Sequence, residues 1–100
     1  MFLHLGRDIV IPVKNIISII DVESVKNLKD GKAFLKMAEE EGFVHRISDE
    51  KVKSCVITEN VEISCGGKEK VVKTIIYYSP ISSITLQRRA NFIDEIPYIK

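Results

Sequence analysis

Two β-rich runs, Lys53 to Ser64 and Glu69 to Ser79, flank Cys65-Gly66-Gly67-Lys68, and this block restricts the possible folds more than any other. Gly-Gly suits a two-residue hairpin turn because both positions accept positive φ, so the spacing predicts one long antiparallel hairpin. With Gly66 and Gly67 as the turn, Cys65 faces Lys68, Val61 faces Val72, Ile57 faces Ile76 and Cys55 faces Tyr78. Apolar side chains then meet across the base. On this register the two cysteines lie roughly 33 Å apart at ~3.3 Å per residue, which excludes a bridge between them. The tip, from Glu59 to Lys73, carries Glu59, Glu62, Lys68, Glu69, Lys70 and Lys73 and is expected to project into solvent or onto a partner.

Shorter elements surround this hairpin. Phe2 to Leu5 and Ile9 to Ile11 read as strands joined by Gly6-Arg7-Asp8, so the chain opens with a small hairpin. Pro12 lacks an N–H and belongs at a strand end. Asn15 to Val22 then resumes a β-branched run in which Ile16, Ile17, Ile19, Ile20 and Val22 are interrupted only by Ser18 and Asp21, the pattern of a strand buried on both faces. Asp30 is placed to cap a helix from Gly31 to Glu41 that Gly42 ends, with Phe34, Leu35, Met37 and Ala38 inward. Glu39, Glu40 and Glu41 crowd its C-terminal end as a solvated, acidic terminus. Phe43 to Ile47 reads as a short strand and Ser48-Asp49-Glu50 as a turn. Ser79-Pro80 stops the long hairpin, and Ser82 or Ser83 can cap a helix from Ile84 to Asn91 with Leu86 and Ala90 inward. The tail from Phe92 to Lys100 is apolar for a terminus and is expected to dock on a neighbour. The fold class is therefore α+β, sheet-dominated, with a long central hairpin and two short helices.

A chain of 100 residues forms one domain with a modest core. Its 45% hydrophobic and 29% charged residues exclude a disordered chain. The formal charge of +1 gives no bulk argument for nucleic acid, but residues 1–50 sum to −2 and residues 51–100 to +3, so the basic half is the C-terminal one. Gly6, Arg7 and Asp8 interrupt the apolar residues between Met1 and Val13. Neither a signal peptide nor a membrane span is expected, which points to a cytoplasmic protein with reduced thiols.

Most site chemistries find no support. His4 and His45 stand without a Cys/His cluster, so no metal site is expected. Gly66-Gly67-Lys68 resembles a phosphate loop only superficially, since Glu69 occupies the Ser/Thr position and Glu62 the first glycine position. The cysteines have no sequence-adjacent base, and Asp49-Glu50 and Asp94-Glu95 adjoin turns or ends. The expectation is a protein that is not an enzyme and needs no cofactor. The basic side chains Lys14, Arg46, Lys51, Lys53, Arg88 and Arg89, distributed around the sheet, suit an anionic partner. Arg88 and Arg89 fall at a helix C-terminus, where the dipole favours cations.

Three stretches carry a family resemblance: Phe2-Leu3-His4-Leu5-Gly6, Lys53-Ser54-Cys55-Val56-Ile57-Thr58, and Tyr77-Tyr78-Ser79-Pro80-Ile81-Ser82-Ser83-x-Thr85-Leu86-x-x-Arg89-Ala90. Together they resemble the small bacterial extracellular matrix regulatory proteins, A and B. The resemblance implies a LytTR-like DNA-binding fold, closed rings of subunits, and transcriptional activation of biofilm-matrix genes through double-stranded DNA. The family's DNA-contacting basic positions fall on Lys14, Lys51 and Lys53, with Arg88 and Arg89 as secondary candidates. Where matrix regulator A has consecutive arginines, this chain has Glu50 and then Lys51, so one charge is reversed. Residues 59–73 lengthen the central hairpin relative to the family. The competing reading is an oligomeric protein-interaction module that binds no DNA, which Glu50 and the near-zero net charge favour.

Overall fold

A computed structural model describes residues 1–63 and 66–90, and leaves the side chains of 61–63, 69, 71 and 72 undescribed. Cys65 and the apolar tail from Phe92 lie outside the described residues. The chain opens with β1 (Phe2–Gly6) and β2 (Ile9–Pro12), an antiparallel pair turned through Gly6 and Arg7, both at positive φ. A single 3₁₀ turn at Val13–Asn15 leads into β3 (Ile16–Asp21), then α1 (Val22–Lys26), α2 (Lys29–Glu40) and β4 (Val44–Arg46). The long hairpin follows as β5 (Ser54–Ile63) and β6 (Glu69–Ser79), and α3 (Ser83–Arg89) completes the described elements. The four-stranded sheet has the order β3-β5-β6-β4, antiparallel except where β4 runs parallel to β6.

Both faces of this sheet are covered, which explains its nearly continuous apolar strands. On one side Ile19 and Val56 pack against Leu3, Leu5 and Ile11 of the small hairpin and against Leu86 and Ala90 of α3. On the other, Cys55, Ile76 and Tyr78 meet Val22 and Val25 of α1 and Leu35 and Ala38 of α2. Strand alternation divides neighbours between the two cores: Cys55 from Val56, and Ile19 from Ile20. Leu86 and Ala90 are the inner face of α3, as expected. Ser82 caps that helix by accepting the Thr85 N–H at 3.3 Å, and Gln87 Nε2 donates to the Ile19 carbonyl at 3.1 Å, tying the helix to β3.

At the base of the hairpin the register is the expected one, with Cys55 opposite Tyr78 and Ile57 opposite Ile76. Further out it shifts. Asn60 pairs with Lys73 but Val61 pairs with Val71, so the expected pairing of Val61 with Val72 is corrected by a bulge. β3 accompanies β5 only as far as Thr58, and beyond it the hairpin is a two-stranded ribbon, where twist is stronger and a bulge accommodates it.

A second bulge corrects the reading of β3. Ile16 pairs with Thr58 and Ser18 with Ile57, which leaves Ile17 as the extra residue. Its side chain is 58% exposed, whereas Ile19 and Ile20 serve opposite cores as a doubly buried strand requires.

The helical region departs further from expectation. α1 is a helix not expected from the sequence: Val22, read as the end of the strand, opens it, and Val22 and Val25, both buried, fix its inner face. There are thus three α-helices among the described residues, not two. α2 starts at Lys29, two residues before Gly31, with Leu28 at the N-cap and no side-chain cap bond. Asp30 lies instead in the first turn, where its charge suits the dipole. The C-terminus is as read: Gly42 has φ +78°, its N–H reaches the Glu39 carbonyl, and the Phe43 N–H reaches that of Ala38, the paired bonds of a Schellman motif. Of the four residues assigned to the inner face, Leu35 and Ala38 are buried while Phe34 and Met37 are exposed. His45 lies in β4, within the short strand expected from Phe43 to Ile47, its ring tilted against Tyr77 at 5.4 Å between centroids.

The α1–α2 junction depends on Gly31, where a Cβ would overlap the Val25 carbonyl. In an open helix, exchange of Gly for Ala stabilises by about 0.5–1 kcal/mol. Here the sign reverses: Gly31→Ala is expected to destabilise by about 2 kcal/mol or more, seen as a lower urea midpoint at constant slope. A raised midpoint would contradict this close approach.

Candidate nucleic-acid interface

The basic positions singled out in the sequence are all exposed, but they do not form one cluster. Lys51 and Lys53 flank the half-buried Val52 just ahead of β5. Their backbone is fixed, since the Lys53 N–H donates to the Ser79 carbonyl at 2.9 Å and the Lys53 carbonyl accepts the Val22 N–H at 3.1 Å. With Asp21, Glu23 and Ser82 they line a recess of about 200 Å³ between the starts of α1 and α3. The carboxylates of Asp21 and Glu23 reduce the positive potential there. Glu50 is exposed beside Lys51, in a turn where its N–H donates to Ser48 Oγ at 3.2 Å.

Lys14 stands at the other end of β3. Its neighbour Asn15 donates through Nδ2 to Asn60 Oδ1 at 2.9 Å, which fixes the 3₁₀ turn against the middle of β5. Lys53 precedes Ser54 on that strand, so at ~3.3 Å per residue the two lysines are roughly 20 Å apart along the sheet. α3 runs between them. It starts beside Ser54, whose Oγ donates to the Ile81 carbonyl at 2.8 Å, and passes Ile19 at Gln87. Arg88 and Arg89 follow in its last turn, both exposed. The order along β3 is therefore Lys51 and Lys53, then Arg88 and Arg89, then Lys14.

Apolar surface accompanies the Lys14 end. Phe2 is 68% exposed and, with Pro12, Val13 and Lys14, borders a recess of about 530 Å³. Val10 of β2 and Ile17 of β3 are also exposed. β3 is also an edge strand, with one side unpaired among the described elements.

Sequence reasoning missed a second constellation on the opposite side of the sheet. Tyr78 of β6 donates its hydroxyl to Glu39 Oε2 of α2 at 3.0 Å, and the Arg46 guanidinium of β4 lies 5.6 Å over the Tyr78 ring. Only the parallel pairing of Arg46 with Tyr78 could have joined these residues, and nothing in linear spacing signals it. Burial, the bond to Glu39 and its charge push the Tyr78 phenol well above its ordinary value, while Arg46 pulls it down. Burial likewise pushes the Cys55 thiol up to about 11, with Lys26 opposing and Asp21 and Glu39 adding. No group of three His, Cys, Asp or Glu side chains suited to a metal occurs among the described residues. None of their helices is long and apolar enough to cross a membrane.

Comparison with known proteins then decides the family. Extracellular matrix regulatory protein B of Bacillus subtilis (strain 168) is 34% identical to this chain over 98 residues, covering 96% of the chain and 98% of the relative. The chain belongs to the family of this matrix regulatory protein. No protein-family model matches it. The relationship makes this chain a relative of a protein named as a matrix regulator.

Cys55 gives a test of the core beneath this surface. The native thiol holds its proton more tightly than an unfolded one, so its contribution to stability is complete below about pH 9 and is lost as the pH rises toward about 11. Cys55→Ala is expected to flatten the decline of unfolding free energy across that window, measured by urea titration at each pH. A decline of unchanged steepness would assign the alkaline loss to Tyr78 and other groups.

Proposed function

We propose that this protein is a DNA-binding transcriptional regulator of biofilm-matrix or developmental genes, acting as a ring-shaped homo-oligomer that contacts phosphates of double-stranded DNA. The observation that carries the reading is the relationship to a protein named as a matrix regulator, together with lysines at the positions to which the family resemblance assigns DNA contact. Lys14, Lys51 and Lys53 are the principal contacts and Arg88 and Arg89 the secondary ones. A ~20 Å run of cations along β3 spans about six base steps at ~3.4 Å each. One subunit with so few contacts is a weak binder. A ring multiplies them, and each neutralised phosphate adds about −0.9 to the slope of log affinity against log salt.

Lys behaves as a point charge and lacks the bidentate geometry of Arg, so this site favours phosphates over base edges. Recognition would then rest on DNA shape and bendability. The exposed apolar side chains Phe2, Val10 and Ile17 suit subunit association, and closed head-to-tail assembly is the symmetry a ring requires. The acidic neighbours Asp21, Glu23 and Glu50 favour a second reading, an oligomeric module that binds protein in place of DNA. Residues 59–73 we read as an extension of the hairpin, an insertion that the site does not require; the alternative is an added contact, along DNA through Lys68, Lys70 and Lys73 or between rings.

Exchange of Lys14, Lys51 and Lys53 together for Ala is expected to abolish binding to promoter-sized duplex at about 0.1 M salt while the oligomer mass stays unchanged. Retained binding with an unaltered salt slope would refute the site. Absence of DNA binding by the unmodified oligomer at low salt would favour the protein-interaction reading. Deletion of residues 61–72 is expected to leave a cooperative unfolding transition, since both cores lie below Asn60 in the register; an unfolded product would mean that the extension is integral to the fold.

A further inference from the structure

A cleft of about 400 Å³ opens between α1, α2 and the sheet face that carries Tyr78, adjoining the recess at Lys51 and Lys53, with which it shares Val22 and Val52. That volume lies within the range of small-molecule sites, roughly 300–1,000 Å³. Its floor is apolar, made by Val22, Leu35, Val52 and Tyr78. Its rim is cationic: Lys26 ends α1, Lys32 and Lys36 stand one turn apart on α2, and Arg46 ends β4. Four cations thus arrive from three elements. Two carboxylates share the rim, Glu39 and Glu40, and the Tyr78 hydroxyl already engages Glu39.

On α2, Lys36 has Glu39 and Glu40 three and four residues on, but Lys32 is uncompensated at helical spacing, its neighbours there being Leu28, Lys29, Leu35 and Lys36. Like charges four residues apart on a helix destabilise it by about 0.2–0.5 kcal/mol. Arg46 is held by its position over the Tyr78 ring, with its donors free to meet an anion from a fixed direction. The other clefts lack this combination. The recess by Phe2 has Lys14 as its one charged side chain, and the one beside β4 sets His45 and Lys73 against Glu41.

We propose that this cleft binds a small organic phosphate, with its apolar or aromatic body on Val22, Leu35 and Tyr78 and its phosphate among Lys32, Lys36 and Arg46. Arg supplies a bidentate fork and the lysines supply point charges, the combination suited to a phosphate group. Glu39 and Glu40 repel a second anionic group at their end of the cleft and so orient the ligand. The residues assigned to the phosphate, Lys32, Lys36 and Arg46, are distinct from the proposed DNA contacts, although the two recesses adjoin at Val22 and Val52.

The test uses naphthyl phosphate as a probe, followed through backbone amide shifts in NMR, with inorganic phosphate and naphthol titrated separately. Saturable shifts at Val22, Lys26, Leu35, Val52 and Tyr78 are expected, with Kd at or below ~1 mM. Each half of the probe alone is expected to bind at least about tenfold more weakly. The variant Lys32→Gln with Lys36→Gln changes exposed side chains only and adds no like-charge pair, and is expected to lose at least about tenfold in affinity at a urea midpoint close to that of the unmodified protein. No saturable shift up to ~10 mM would overturn the proposal. So would equal binding of inorganic phosphate, which would mark a charged patch, equal binding of naphthol, which would mark an apolar one, or undiminished binding by the variant.

Discussion

The pairing of Ser54 with Ser79 at the foot of the central hairpin sets the positions of the other elements. Both side chains are fully buried, and each hydroxyl is committed. Ser79 Oγ donates to the Leu5 carbonyl at 2.6 Å and accepts the Ile81 N–H at 3.0 Å, so it joins β6 to the opening hairpin and to the approach to α3. Ser54 Oγ donates to the Ile81 carbonyl. A buried hydroxyl without a partner costs about 1–3 kcal/mol, which penalises any shift of register at this point. Above it, strand alternation distributes Cys55 and Val56, and Tyr77 and Tyr78, between the two cores. A slip of one residue would exchange every one of them.

Filling both faces of the sheet leaves its edges as the surfaces open to partners. β4 is short and ends in His45 and Arg46, charge-rich features that discourage strand addition. β3 is longer and interrupted by the bulge at Ile17, which leaves an isoleucine exposed. An apolar edge flanked by Lys14 combines surface that favours association with charge suited to an anionic partner, and the proposed ring uses both.

Local chemistry made much of this architecture legible. Gly-Gly announced the hairpin, Gly42 the end of α2, Ser82 the start of α3, and Leu86 with Ala90 its inner face, because each signal acts within a few residues. The misses have a common cause: they depend on what a segment packs against. α1 exists because Val22 and Val25 find the second core, although Ser24 and Lys26 make the segment read as polar. The bulges at Ile17 and beyond Asn60 arise where β3 stops supporting β5, a tertiary event with no local marker. The lysines of the candidate site could be named from the sequence, but their order along β3 required the route of α3. The grouping of Glu39, Arg46 and Tyr78 required the parallel pairing of β4 with β6.

A net charge of +1 gives one subunit little long-range attraction for DNA. Screening over about 8 Å at physiological salt further separates the two ends of β3, so Lys14 and Lys53 act nearly independently within a subunit. Under the proposed mechanism affinity must therefore come from repetition of the same weak contacts around an assembly. Each additional subunit raises the effective concentration of the next contact without new chemistry. Lysine suffices for such a device, since many modest phosphate contacts replace a few strong ones. In the same mechanism the carboxylate of Glu50 would lower affinity at every repeat, and its effect on the proposed assembly would be multiplied in the same way as the gain from Lys51.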